Sequence, residues 1–91
     1  MTVEHDEVGH RFVVHLDGDD AELVYARPDA GTIDLQHTGV PAGERGHGVA
    51  AALAAAAFEY ARREGLRVVP TCRFVRAWLG RHPDQRDIVR A

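Results

Sequence analysis

Thr38-Gly39-Val40-Pro41-Ala42-Gly43-Glu44-Arg45-Gly46-His47-Gly48-Val49-Ala50 runs from the end of an amphipathic segment, through a glycine-dense loop, into an alanine-rich stretch. From Val49 to Glu64 there is no helix breaker until Gly65, which predicts one long helix with Gly65 as its C-terminal cap. Val49, Leu53, Ala57 and Phe58 make its first turns apolar on nearly every side, and Glu59, Arg62, Arg63 and Glu64 gather at its end. The N-terminal part is therefore predicted to be buried and the C-terminal part to emerge into water. At the start of such a helix the first N–H groups lack acceptors, glycines allow close backbone approach, and the dipole adds about half a positive charge. That geometry suits a phosphate, although glycines serving a tight turn explain a Gly-x-Gly before a helix equally well. The dinucleotide fingerprint is not met, since a third glycine is absent and the preceding strand belongs to a meander.

Upstream, three segments read as strands. His10 to Leu16 puts Phe12, Val14 and Leu16 on one face, and Asp17-Gly18-Asp19-Asp20 turns the chain into Ala21 to Arg27. After Pro28-Asp29-Ala30-Gly31, the segment Thr32 to Val40 places Ile33, Leu35 and His37 on one face and Thr32, Asp34, Gln36 and Thr38 on the other. Downstream, Leu66 to Val69 is a short apolar strand stopped by Pro70, and Thr71 can cap a second helix through about Leu79, before His82-Pro83. The fold class is thus α+β: a three-strand antiparallel meander, extended by a further strand after the central helix, with a second C-terminal helix.

A chain of 91 residues suits one domain, 1–91 with its core at about 8–88, and its apolar fraction of 45% and charged fraction of 27% are those of a soluble globular protein. The formal charge of -3 is divided unevenly: residues 1–44 carry two arginines against ten acids, and residues 45–91 nine arginines against four acids. An anionic ligand is expected on the C-terminal half, though a solvated helical surface has the same composition. All 11 basic residues are arginine, which excludes Schiff-base lysine chemistry and a Walker-type phosphate loop. An acidic balance without a basic stripe interleaved with aromatics argues against nucleic acid. The single cysteine, Cys72, and an N-terminus opening on Glu4, Asp6 and Glu7 predict a reducing, cytoplasmic setting. The apolar run Val49 to Phe58 is too short for a membrane span.

Arg45-x-x-Gly48-x-Ala50 resembles the Gln/Arg-x-x-Gly-x-Gly/Ala signature of GCN5-related N-acetyltransferases, and it stands, as there, between an amphipathic strand and a long helix. More narrowly, His37-Thr38-Gly39-Val40-Pro41, Arg45-Gly46-His47-Gly48 and Val68-Val69-Pro70-Thr71-Cys72-x-Phe74-Val75 look like the small single-domain YidJ-type or NATD1-like group. The resemblance covers roughly residues 8 to 88. It implies acetyl-CoA as cofactor, with Val40 pairing to the pantetheine, and Arg45, Gly46, His47, Gly48, Val49 and Ala50 holding the pyrophosphate. It also implies an amine acceptor, either on a protein or in a small molecule. Two features depart from the larger family. Only turns connect the first three strands, so the helices that help enclose the acceptor are missing and the acceptor groove is expected to be open. The place of the tyrosine that protonates the departing thiolate holds Leu79, beside Trp78.

Two residues are candidates for catalysis. Cys72 stands at a helix start beside Arg73, and both the dipole and that arginine, itself a candidate cofactor contact, would lower a thiol pKa. The thiol could carry or relay the acetyl group, or it could be a small buried hydrophobe. His37 is a candidate base, or a satisfied core histidine on the Ile33 and Leu35 face. Arg45 suits bidentate contact with phosphate oxygens, whereas His47 is expected to contribute its backbone N–H with its ring in solvent. Trp78 and Phe74 are expected in the core, and no metal-ligand spacing is present. The expected activity is acetyl-CoA-dependent N-acetyl transfer; the alternative is a module that binds acetyl-CoA or coenzyme A and acts through a protein partner.

Overall fold

Five strands and two helices follow one another as β1 (Glu4–Asp6), β2 (Arg11–His15), β3 (Asp20–Asp29), β4 (Thr32–Gly39), α1 (Val49–Arg63), β5 (Arg67–Pro70) and α2 (Arg73–Arg81). Short 3-10 segments occupy Ala42–Glu44 and Pro83–Ile88. The computed structural model describes residues 1–90, so Ala91 of the expected 1–91 domain lies outside the described residues. The strands form one sheet in the order β1-β2-β3-β4-β5, antiparallel as far as β4, with β5 parallel to β4. This is the expected α+β arrangement with one strand more. Glu4-His5-Asp6 has no aliphatic alternation to mark it, and β1 is held instead by aromatic contact: the His5 ring stacks on Phe12 at 4.3 Å, and its Nε2 lies 2.6 Å from the Tyr25 hydroxyl.

Helix α1 buries Val49, Leu53, Ala54, Ala57, Phe58 and Ala61, and this face joins Phe12, Val14, Leu23 and Tyr25 of the sheet in one core. Small alanine side chains let the helix lie close to the strands, so burial comes from proximity as much as from side-chain size. The expected all-round burial of its first turns is corrected, since Ala55 is exposed and Ala51 and Ala52 are half-buried. The predicted C-terminal stop is present. Gly65 adopts a left-handed φ of 70°, the Leu66 N–H donates to the Ala61 carbonyl at 2.8 Å, and the Gly65 N–H donates to Arg62 at 3.3 Å.

Helix α2 starts later than expected. Cys72 is its N-cap, and the Thr71 hydroxyl donates to the Asp34 carboxylate instead of capping. Both helices join the core formed by Phe12, Leu23, Tyr25, Ile33 and Leu35. The opposite sheet face carries Arg11, whose guanidinium bridges Asp6 and Glu22 at 3.1 and 3.0 Å.

The facing of His37 differs from expectation. Leu35 pairs with Tyr25 and His37 with Val24, so Gln36 has no partner on β3 and forms a bulge. Beyond the bulge the alternation is reversed. His37 leaves the Ile33 and Leu35 face and is exposed, and Thr38, paired with the buried Leu23, turns inward in its place.

Candidate functional site

Strand β5 pairs with β4 only from Thr32 to Leu35, while β4 continues to Gly39. The Cys72 N–H takes the Leu35 carbonyl at 2.8 Å, and from there the two chains part. A cavity of about 610 Å³ opens beside the free length of β4, lined there by His37, Thr38, Gly39 and Val40. Its other walls are the loop and first turn of α1 (Arg45, Gly46, Gly48, Val49, Ala50) and, from α2, Phe74 and Arg81. The size falls within the range of small-molecule sites, about 300–1,000 Å³.

The loop reaches this position through two left-handed residues, Gly46 at φ 86° and Gly48 at φ 78°. A Cβ at either place would meet no heavy atom within 4 Å, so glycine is required here for the backbone conformation and not for clearance. Gly48 is the N-cap of α1 and offers no side-chain cap. The first N–H to reach back is that of Ala52, 3.0 Å from the Gly48 carbonyl. The amides of Val49, Ala50 and Ala51 before it lack intrahelical acceptors. All three residues line the cavity, as do Arg45 and Arg81.

Charge in the site is predominantly positive but not purely so. Arg45 is exposed, with its Nε 3.4 Å from the Val40 carbonyl, and its outer nitrogens remain available to an anion. Glu44 also lines the cavity, and its carboxylate is held by His47 Nδ1 at 3.2 Å. His47 itself is exposed, and its N–H is engaged by the Glu44 carbonyl at 3.4 Å. The residues present fit the pyrophosphate of acetyl-CoA: a helix start with unbonded amides, two flanking guanidinium groups, and an adjoining strand edge able to pair with amide groups.

His37 and Thr38 both reach the cavity, from opposite faces of β4. Cys72 is 6% exposed and sits behind the cavity wall, with its Sγ 3.3 Å from Thr38 Oγ1. Arg73, beside it, is exposed and outside the cavity lining, whereas Arg81 eight residues on is part of that lining. Sequence reasoning passed over Arg81 and Thr38 as site residues, and it expected only core packing of Phe74, which is partly buried against the core and also lines the cavity. Arg81 and Phe74 could have been found from spacing, since they are seven residues apart and share a helix stripe. Thr38 carried no such signal, because its facing depends on the bulge. Leu79, in the place of the family tyrosine, is 2% exposed within the core. Among the described residues no group of three His, Cys, Asp or Glu is placed to hold a metal, and no helix is long and apolar enough to cross a membrane.

The model of the GCN5-related N-acetyltransferase family matches residues 11–88. Protein NATD1 of Xenopus tropicalis is 40% identical over 85 residues, which cover 91% of this chain and 78% of that protein. Protein NATD1 of Homo sapiens is 39% identical over 85 residues, 91% of this chain and 75% of that protein. The solution structure of a GCN5-like protein from Staphylococcus aureus superposes with a TM-score of 0.71 at 24% identity, over 99% of this chain and 88% of its own, which shows the shared fold. With 78 matched residues out of 91, and the signature Arg45-x-x-Gly48-x-Ala50 at the mouth of its cavity, the chain belongs to the GCN5-related N-acetyltransferase family.

Proposed function

We propose that this protein is an acetyl-CoA-dependent N-acetyltransferase of the cytoplasm, moving the acetyl group to an amine on a protein or a small molecule. The observation that carries this reading is the cavity itself, which the first turn of α1, Arg45 and Arg81 line together with the unpaired length of β4. The helix start and the two arginines bind pyrophosphate oxygens, and Val40 with its neighbours adds the pantetheine as a further strand. The thioester then lies toward Thr38, with Cys72 behind it. His37, on the uncovered face, takes the proton from the incoming amine. The short connections Leu16–Asp19 and Ala30–Gly31 place no helix over that face, so a bulky acceptor can approach it.

The test is a titration with acetyl-CoA followed by NMR and calorimetry. Saturating acetyl-CoA moves the amide resonances of Arg45 to Ala50; if they stay in place the reading fails. A module that only holds the cofactor would pass this test and release no coenzyme A in the presence of amines.

A further inference from the structure

We infer that Thr38 is the general acid of acetyl transfer, passing a proton from the Cys72 thiol to the departing thiolate of coenzyme A; this rests on the acetyl-transfer reading above. The departing sulfur needs a proton, and Leu79, buried and apolar, has none to give. The tyrosines are committed elsewhere: the Tyr25 hydroxyl is bound to His5, and Tyr60 packs against His5 and Phe12. His37 reaches the cavity from the uncovered face of β4, opposite to Thr38. Thr38 is the residue that both lines the cavity and contacts the thiol, 3.3 Å from Cys72 Sγ. The order inward from the cavity is therefore thioester, Thr38 hydroxyl, Cys72 thiol.

A threonine hydroxyl is too weak an acid to act alone. Coupled to a thiol that replaces its proton in the same event, it becomes a conduit, and the net transfer runs from one alkyl thiol to another. The bonds close as follows. The amine nitrogen bonds to the acetyl carbon, giving its extra proton to His37 and then water. The C–S bond breaks, and its electron pair leaves on the coenzyme A sulfur. Thr38 Oγ1 gives that sulfur a proton and takes one from Cys72. The Cys72 thiolate left behind recovers a proton from water after coenzyme A departs.

The bulge at Gln36 is what makes this arrangement: with regular alternation His37 would face the thiol and Thr38 would point away. A β-branched side chain with few rotamers then holds the hydroxyl between sulfur and cavity.

Cys72 is the sole thiol of the chain, so its S–H stretching band in the infrared has one source. Three proteins are compared, the wild type, Thr38→Val and Thr38→Ser, each free and with acetyl-CoA. The wild-type and Ser bands lie at the position of a hydrogen-bonded thiol and shift when acetyl-CoA binds; the Val band lies at that of a free thiol and does not shift. With hydroxylamine as surrogate acceptor, Thr38→Val lowers kcat about a hundredfold with KM within about twofold, and Thr38→Ser restores most of it. The inference is overturned if the Val protein keeps the wild-type band or the wild-type kcat, or if Ser fails to rescue while acetyl-CoA still binds. Failure of acetyl-CoA to bind the wild type would instead remove the acetyl-transfer reading.

Discussion

Phe74 and Arg81 stand seven residues apart on α2 and line the same cavity as the first turn of α1. Two turns of helix thus bring an apolar ring and a guanidinium to one wall, with the charge at the end nearer solvent. Arg81→Gln is expected to weaken acetyl-CoA binding about tenfold, the loss of one charge-assisted contact worth about 1.5 kcal/mol. Arg73→Gln, at the exposed start of α2, is expected to change it less than about twofold. Calorimetric titration of both variants checks this, and equal losses would put the phosphates nearer to Arg73 than the cavity does.

The loop can be tested without disturbing its backbone. Gly48 is left-handed, so a residue that tolerates that conformation is needed, and asparagine and aspartate both do so. They are nearly isosteric and differ by one negative charge. Gly48→Asn should bind acetyl-CoA more weakly than the wild type, and Gly48→Asp more weakly still, by a further tenfold or so, because the carboxylate faces the pyrophosphate. Equal affinities for the two variants, with unchanged circular dichroism, would place the phosphates away from the α1 N-terminus.

Covalent storage of the acetyl group on Cys72 is not expected. The sulfur lies behind Thr38, outside the cavity lining, and attack on a thioester needs it in front. Incubation with acetyl-CoA and no acceptor should leave the intact mass unchanged at Cys72. The chain has no lysine to acetylate, and peptide mapping separates an adduct on Cys72 from one on the α-amino group. An acetyl thioester on Cys72 would mean that the Thr38 side chain swings aside during turnover.

Two histidines should titrate in opposite directions from the ordinary 6.5. Burial beside Phe12 holds His5 below it, and the hydrogen bond to Asp20 raises His15 above it. For His5 the unfolded chain takes up its proton first, so its contribution is complete above 6.5 and is lost as pH falls toward the lowered value. For His15 the contribution is complete below 6.5 and is lost as pH rises through the raised value. NMR titration of the ring resonances gives both midpoints, and His5 titrating above His15 would contradict the arrangement around β1.

Much of this architecture was legible from local chemistry. The alanine run and Gly65 define α1 to within a residue, because alanine loses little entropy in a helix and glycine alone readily takes the left-handed turn that ends it. Gly46-His47-Gly48 marks the loop before α1 for the same reason. The strand β1 was not legible, because a polar tripeptide becomes a strand only where Phe12, Tyr25 and Tyr60 stand ready to pack against His5.

The sequence by itself determined β2 to β5, the loop and the helix that frame the cavity, since each rests on propensities and backbone freedoms carried by residues close together in the chain. The tertiary structure alone decided which side chains face the cavity. His37 and Thr38 exchange faces because β4 must match β3 with one residue to spare, and that surplus is a property of the pair of strands and not of either one. Arg81 enters the cavity, and Cys72 withdraws behind Thr38, because α2 is laid against β4 by a core assembled from residues distant along the chain.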